Sequence, residues 1–198
     1  MDDGAILLEV NSCNTISASC KIIRGGLLKS KKNIAIPAAS IYPPILTDDD
    51  LKNLALAGEY GVTAVLQPFV RKRQDILTLR QKLDSLKLID VKIIAKIENR
   101  DGVRILKELI ELADEICIAR GDLGNDMPLW ELPAVQKEIA KSCNDKNKPF
   151  SVATQMLHSM TTSPVPTRAE VSDIFNAVLD GASALILTGE VAVGHLFP

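Results

Sequence analysis

From about residue 34 onward, short apolar segments alternate with longer segments in which apolar residues recur every three or four positions. The short segments are rich in valine and isoleucine and lie at residues 62–66, 91–95, 116–119, 150–153 and 184–187. A parallel strand that is buried on both faces has this composition. The longer segments have the period of amphipathic helices. Repeated strand–helix units predict a parallel sheet with right-handed crossovers.

The predicted helices carry start and stop signals in the sequence. Thr47 with Asp50, and Thr167 with Glu170, have the spacing of capping boxes. Glycines at 61 and 181 predict where those two helices end. The other three predicted helices follow apolar stripes through residues 76–86, 103–113 and 135–143, and the stripe of the last helix is 171, 174, 175 and 178.

The first 33 residues have a different pattern. Short strand candidates at 5–10, 16–23 and 27–28 are separated by Asn, Ser and Gly-Gly, which predicts a small antiparallel piece. Residues 25–26 and 29–32 have the composition of a linker. We therefore divide the chain into a β remnant at 1–33 and a main domain at 34–198.

Each predicted strand of the main domain is followed by polar residues, whereas the strand starts show nothing comparable. These residues are Gln67, Lys96, Glu98, Arg120, Asp122, Thr154, Gln155, Thr188 and Glu190. This asymmetry is typical of a (β/α)8 barrel, whose active site lies at the carboxyl ends of the strands. A doubly wound sheet would share the asymmetry but usually has a glycine-rich phosphate turn after its first strand, and no such turn occurs here.

The most informative of these residues are Lys96, Glu98 and Asp122. They place one cation and two carboxylates at the ends of neighbouring predicted strands. This arrangement suggests a metal-assisted site for an anionic substrate.

Composition excludes several other classes of protein. The 198 residues are 46% hydrophobic and 24% charged, with a net charge of −2, as in an ordinary globular domain. The sequence contains no block of basic residues, which argues against nucleic acid as a partner. No apolar stretch is long enough to span a membrane. The four cysteines form no Cys-x-x-Cys pair, so we expect reduced thiols, no zinc site and a cytoplasmic protein.

Residues 96–103 (KIENRDGV) resemble the signature segment of pyruvate kinase. Five further segments resemble that family in order and spacing: 119–124 (ARGDLG), 153–157 (ATQML), 166–170 (PTRAE), 176–181 (NAVLDG) and 188–190 (TGE). Residues 2–4 and 31–32 resemble the exit from the family's small B domain. The resemblance covers nearly the whole chain.

The resemblance implies an α/β fold made of the tail of the B domain and strands four to eight of a TIM barrel. A family member also has three earlier barrel strands and a C-terminal regulatory domain, which have no counterpart here. The family is homotetrameric, and an incomplete barrel with two sheet edges would self-associate or aggregate.

The resemblance also implies transfer of phosphate from phosphoenolpyruvate to ADP, giving pyruvate and ATP, in glycolysis. Mg2+ or Mn2+ is the implied cofactor. K+ is expected in the family, although its ligands lie in the missing strands. We predict that this chain alone is inactive.

Residue by residue, the resemblance makes Lys96 and Thr154 catalytic, and Glu98 and Asp122 the metal ligands. Substrate-binding residues would be Lys96, Ala119, Arg120, Gly121, Asp122 and Thr154. Each role has a structural alternative. Lys96 could pair with a carboxylate, Asp122 could cap a helix, and Thr154 could merely end a strand. For Arg120, a buried ion pair and direct substrate contact are equally supported.

Two other functions stay open at this point. One is a non-catalytic fragment or pseudoenzyme that associates with full-length subunits. The other is a different metal-dependent barrel enzyme, an aldolase or lyase acting on a keto acid, which the full set of segments argues against.

Overall fold

A computed structural model describes residues 6–28, 30, 34, 36 and 44–194 of the chain. The strands in these residues are β1 Leu7–Cys13, β2 Ala18–Arg24, β3 Ala64–Gln67, β4 Lys92–Ile97, β5 Glu115–Ala119, β6 Phe150–Ala153 and β7 Ala184–Ile186. The helices are α1 Asp48–Leu56, α2 Arg73–Ser85, α3 Arg100–Arg104, α4 Leu106–Leu112, α5 Arg120–Asp126, α6 Leu132–Asp145, α7 Arg168–Leu179 and α8 Gly189–Ala192, with a 3-10 helix at His158–Thr161.

Strands β3 to β7 form one parallel sheet in which every strand lies beside its neighbour in sequence. The predicted parallel sheet is therefore confirmed, and each predicted strand lies within two residues of its observed bounds. In a doubly wound fold the order of successive strands reverses at one point in the sheet, and this sheet has no such point. All five carboxyl ends consequently meet at one edge.

The two faces of this sheet have different roles. Ile97, Ile118 and Val152 lie in one row across the strands and belong to the buried core with side chains from the helices. Residues one position away must face the opposite side of the sheet. That opposite face carries the row of Lys96, Cys117 and Ser151.

Strands β1 and β2 form an antiparallel hairpin, which confirms that the N-terminal segment contains antiparallel strands. Its strands begin and end about two residues later than predicted, and residues 27–28 form no strand. Residue 5, the predicted linker residues 29 and 31–32, and the boundary at 33 lie outside the described residues.

Both predicted capping boxes are present. Thr47 Oγ1 accepts the Asp50 amide at 3.1 Å, and Thr167 Oγ1 accepts the Glu170 amide at 3.2 Å. The predicted end of the first helix at Gly61 is wrong, because α1 ends at Leu56. Gly61 instead closes the following turn in the left-handed region, at φ 64°.

The predicted helix through residues 103–113 is divided in the structure. Its chain leaves regular α geometry at Ile105, between α3 and α4. Within α3, Arg104 pairs with Asp101 three residues earlier, at 3.0 Å between Nη1 and Oδ1.

The apolar stripe predicted for α7 is largely exposed. Val171, Phe175 and Val178 are 54%, 64% and 55% exposed, and only Ala177 is buried. The helix period was therefore correct, but the sequence did not show which part of the stripe is covered. No helix in the described part of the chain has the length and apolarity needed to cross a bilayer.

Glu170 joins α7 to the 3-10 helix. Its carboxylate accepts bonds from the backbone amides of Ser159 and Thr167, both at 2.7 Å, and from both of their hydroxyls. Burial raises the pKa of Glu170, but these hydrogen bonds together outweigh it and lower the pKa to about 2.

We predict that Glu170→Gln destabilises the chain by roughly 1 kcal/mol at pH 7, measured by urea unfolding. A carboxyl whose folded pKa is depressed stabilises the fold above its ordinary pKa, 4.5 here, and this stabilisation is lost as pH falls through about 2. The difference between wild type and variant should therefore shrink below pH 4.5. Glu138→Gln, on an exposed position of α6, is the control, and a pH-independent difference would contradict the assignment.

Candidate active site

Lys96 and Glu98 form an ion pair where β4 ends. The distance from Lys96 Nζ to Glu98 Oε1 is 2.6 Å, and the side chains are 21% and 1% exposed. Residues two apart along a strand share a face, which brings these side chains together. Since a buried carboxylate is costly without compensation, the lysine neutralises a charge that the fold could not otherwise retain.

The second oxygen of Glu98 fixes the neighbouring loop. Glu98 Oε2 accepts the backbone amide of Phe69 at 2.7 Å, two residues beyond the end of β3. Phe69 adopts a positive φ of 52°, which is uncommon for a non-glycine residue. Glu98 therefore links the carboxyl ends of β3 and β4.

Asn99 supports the same junction. Its Nδ2 donates to the Val70 carbonyl at 3.3 Å, and its Oδ1 caps α3 by accepting the Gly102 amide at 2.8 Å. A Cβ at Gly102 would lie 2.9 Å from the Val70 carbonyl oxygen. The close approach of α3 to the β3–α2 loop thus requires glycine.

Arg120 is buried immediately after β5, and its guanidinium is surrounded by acceptors. Nη1 pairs with Asp173 Oδ2 at 2.6 Å, and Nη2 donates to the carbonyls of Thr154 at 2.8 Å and Gln155 at 3.2 Å. Nη2 also lies 3.0 Å from the sulfur of Met156. Of the two interpretations from the sequence, the structure contains the ion pair.

Thr154 follows β6 in an unusual backbone conformation. Both Thr154 and Gln155 are left-handed, at φ 74° and 54°, which costs free energy in non-glycine residues. The Thr154 hydroxyl oxygen accepts the Gly121 amide at 2.8 Å. Thr154 therefore does more than end a strand, because its side chain is oriented toward the β5–α5 junction.

Asp122 lies in the first turn of α5, which begins directly after β5. It is half-buried, and Ala119, the last residue of β5, is buried. Because β4 and β5 are parallel and Ile97 pairs with Ile118, Glu98 and Asp122 both follow strand ends at the same edge of the sheet. The alternative that Asp122 caps a helix is wrong, because the N-cap of α5 is Ala119 and Asp122 lies inside the first turn.

The described residues contain no group of three or more His, Cys, Asp and Glu side chains that could hold a metal ion. Glu98 and Asp122 each supply one carboxylate at the same edge of the sheet, and carboxylate is a ligand type that Mg2+ uses. This ion often takes one or two protein carboxylates and completes its shell with water and substrate oxygens. The residues present therefore fit the chemistry of a magnesium site.

Glu190 ties the loop after β6 to the loop after β7. It is 1% exposed, and its carboxylate accepts the amides of Leu157 at 3.0 Å and Thr188 at 3.1 Å. Burial raises its pKa, but the hydrogen bonds, including those from Leu157 and Thr188, lower it below its ordinary value overall. Glu190 thus orients the backbone of both loops at the carboxyl edge of the sheet.

Two supporting residues were missed by the sequence analysis. Asn99 carried a local signal, since Asn before a predicted helix is a typical N-cap. Asp173 carried none, because it lies 53 residues from its partner Arg120 and only the fold brings them together.

Comparison with known proteins matches the family "Pyruvate kinase, barrel domain" to residues 1–198, the whole chain. The chain belongs to the pyruvate kinase family. This family consists of phosphotransferases, and the resemblance seen in the sequence is confirmed.

Curated members show the extent of the similarity. Pyruvate kinase of Bacillus licheniformis is 42% identical over 197 residues, covering 98% of this chain and 34% of the relative. Pyruvate kinase of Clostridium perfringens is 41% identical over 198 residues, covering 100% and 42%. Pyruvate kinase PKLR of Homo sapiens is 42% identical over 198 residues, covering 100% and 34%. The chain thus spans about a third to two fifths of the length of these pyruvate kinases.

We predict that Gly102→Ala destabilises this pyruvate kinase homologue by about 1–3 kcal/mol, because the added Cβ would overlap the Val70 carbonyl. Urea unfolding monitored by circular dichroism measures the change. Gly189→Ala is the matched control, since a Cβ there meets nothing within 4 Å, and we expect it to stay within ~0.5 kcal/mol of wild type. Equal effects of the two variants would show that the close approach does not constrain the fold.

Proposed function

We propose that residues 34–198 are the C-terminal part of a (β/α)8 barrel. The strands follow one another around the sheet without reversal, as the strands of a barrel do. The face opposite the helices also supports this, because it exposes an apolar residue, Leu66, at 44%. In a closed barrel that face would be the packed interior.

We further propose that the site serves phosphoryl transfer from phosphoenolpyruvate to ADP. The observation that carries this proposal is the Lys96–Glu98 ion pair at 2.6 Å, located beside the Asp122-bearing β5–α5 junction at the carboxyl edge of the sheet. A cation and carboxylates at this edge suit an anionic substrate and a divalent ion.

In this proposal, Lys96 stabilises the negative charge that develops during phosphoryl transfer. An ammonium has three N–H donors, so Lys96 can donate to a substrate oxygen while it remains paired with Glu98. As the bond between phosphorus and the enol oxygen breaks, negative charge develops on the phosphoryl group and on that oxygen. A fixed cation stabilises both without reorganising.

Glu98 and Asp122 would hold the divalent ion. When bound, Mg2+ or Mn2+ supplies Lewis acidity toward the substrate oxygens. Glu98 also fixes the Phe69 amide, so the same carboxylate would hold the adjacent loop in place. K+ remains an expectation from the family.

The residues after β5 and β6 would complete the substrate site. The backbone at Ala119, Gly121 and Asp122 would lie against the substrate carboxylate, with the Gly121 amide donating to Thr154. Arg120 would act through its hydrogen bonds to the Thr154 and Gln155 carbonyls. The Thr154 hydroxyl accepts from Gly121 and keeps its own proton to donate. It would deliver that proton, directly or through water, to the enolate carbon and so yield pyruvate.

A second candidate is the non-catalytic polypeptide that associates with other subunits. The exposed residues Val171, Phe175 and Val178 on α7 favour it, because apolar side chains grouped on one surface often mark contact with another protein. The two candidates differ in metal binding.

We predict that the chain binds Mn2+ through Glu98 and Asp122, measured as loss of the free-ion signal in electron paramagnetic resonance. Glu98→Gln and Asp122→Asn should each weaken binding about tenfold or more, since each removes one of two anionic ligands. Glu111→Gln, on an exposed position of α4, changes the same charge away from the site and should have no effect. Equal weakening by all three variants would refute the metal site.

We also predict no pyruvate release by the isolated chain with phosphoenolpyruvate, ADP, Mg2+ and K+. The reason is that β3 and β7 each pair with only one strand in the described residues, so the sheet does not close around a substrate. A coupled assay for pyruvate measures this, with Lys96→Met as the comparison. Turnover that disappears in Lys96→Met would overturn the predicted inactivity and would support the catalytic assignment.

A further inference from the structure

A cavity of about 290 Å³ lies beside the candidate active site and uses none of its assigned residues. It is lined by Arg71, Lys72, Asp101, Arg104 and Ile105. The first two belong to the loop between β3 and α2, and the other three to α3 and the residue that follows it. The cavity therefore lies between two successive strand–helix connections.

The lining of this cavity is predominantly cationic. Three of its five residues carry positive charge and one carries negative charge. The one carboxylate of the lining, Asp101, pairs with Arg104 at 3.0 Å, and the formal charge of the lining residues is positive overall. Guanidinium groups present planar pairs of donors that match the oxygens of a phosphate group.

Both walls of the cavity are held by buried polar residues. Asp75 Oδ2 accepts the amides of Arg71 at 2.9 Å and Lys72 at 3.1 Å, so it fixes the backbone that carries two of the cations. Asn99 joins the walls, since it donates to Val70 on one side and caps α3 on the other. Both supporting residues are buried. The cationic groups are thus mounted on fixed backbone, which reduces the entropy cost of binding a ligand.

We propose that this cavity binds the phosphate group of a small molecule, at a site separate from the one around Lys96 and Glu98. Its volume is close to the lower end of the range for small-molecule sites. It therefore suits a compact phosphorylated compound or phosphate itself. The wall that carries Arg71 also carries Phe69, whose amide binds Glu98, so an occupant would contact the loop that borders the active site.

Isothermal titration calorimetry on the full 198-residue chain tests this proposal, without divalent metal and at constant ionic strength. The two probes are inorganic phosphate and glycerol 3-phosphate, and each should show saturable binding. Tighter binding of glycerol 3-phosphate would support a phosphorylated metabolite as the occupant, and tighter binding of inorganic phosphate would support the free ion.

Arg104→Gln should weaken binding of the preferred probe about tenfold, because it removes a charge-assisted contact. Arg104 is exposed, so this variant should fold normally, and Lys72→Gln at another exposed position provides a second test. Lys107→Gln removes the same charge from an exposed position outside the cavity and should bind as wild type does.

Thr154→Val, in the candidate active site and outside the cavity lining, separates this inference from the proposed function. Unchanged phosphate binding in Thr154→Val supports the cavity, whatever the outcome for catalysis. Loss of binding in Thr154→Val would overturn the proposal, as would equal weakening by Lys107→Gln or the absence of saturable binding by either probe.

Discussion

The arrangement of the loops at the carboxyl edge of the sheet depends on how the charge of one buried carboxylate is compensated. Glu98 is almost fully removed from solvent, and its two oxygens are satisfied by the Lys96 ammonium and the Phe69 amide. An uncompensated charge at this depth would cost several kcal/mol. The lysine and the loop are therefore held in place by the same requirement, and the end of β4 is joined to the end of β3. One residue therefore belongs both to the candidate site and to a structural junction.

Much of the parallel sheet could be predicted from sequence because the signal is local. Valine- and isoleucine-rich segments marked the strands, and both capping boxes formed where Thr47 and Thr167 indicated. Element boundaries were less accurate. The break at Ile105 and the early end of α1 depend on how the chain packs, and periodicity alone does not record packing.

The candidate site was predicted to a similar extent. Pairing of Lys96 with a carboxylate was the structural alternative to its catalytic role, and the structure contains such a pair with Glu98. The roles of these residues in catalysis stay predictions. The environment of Arg120 had no local signature, since Asp173 and the Thr154 carbonyl come from distant elements. The exposure of Val171, Phe175 and Val178 could not be predicted from the sequence either, because an apolar stripe does not show which element packs against it.

The pair of left-handed residues after β6 has a consequence for how the rim responds to distant changes. Thr154 and Gln155 both present their carbonyls to Arg120, and relaxing either torsion to the common right-handed region would turn those oxygens away. Arg120 is in turn anchored by Asp173 on α7. The orientation of the Thr154 hydroxyl consequently depends on α7, through Asp173 and Arg120. A displacement of α7 would change the backbone torsions of Thr154 and Gln155.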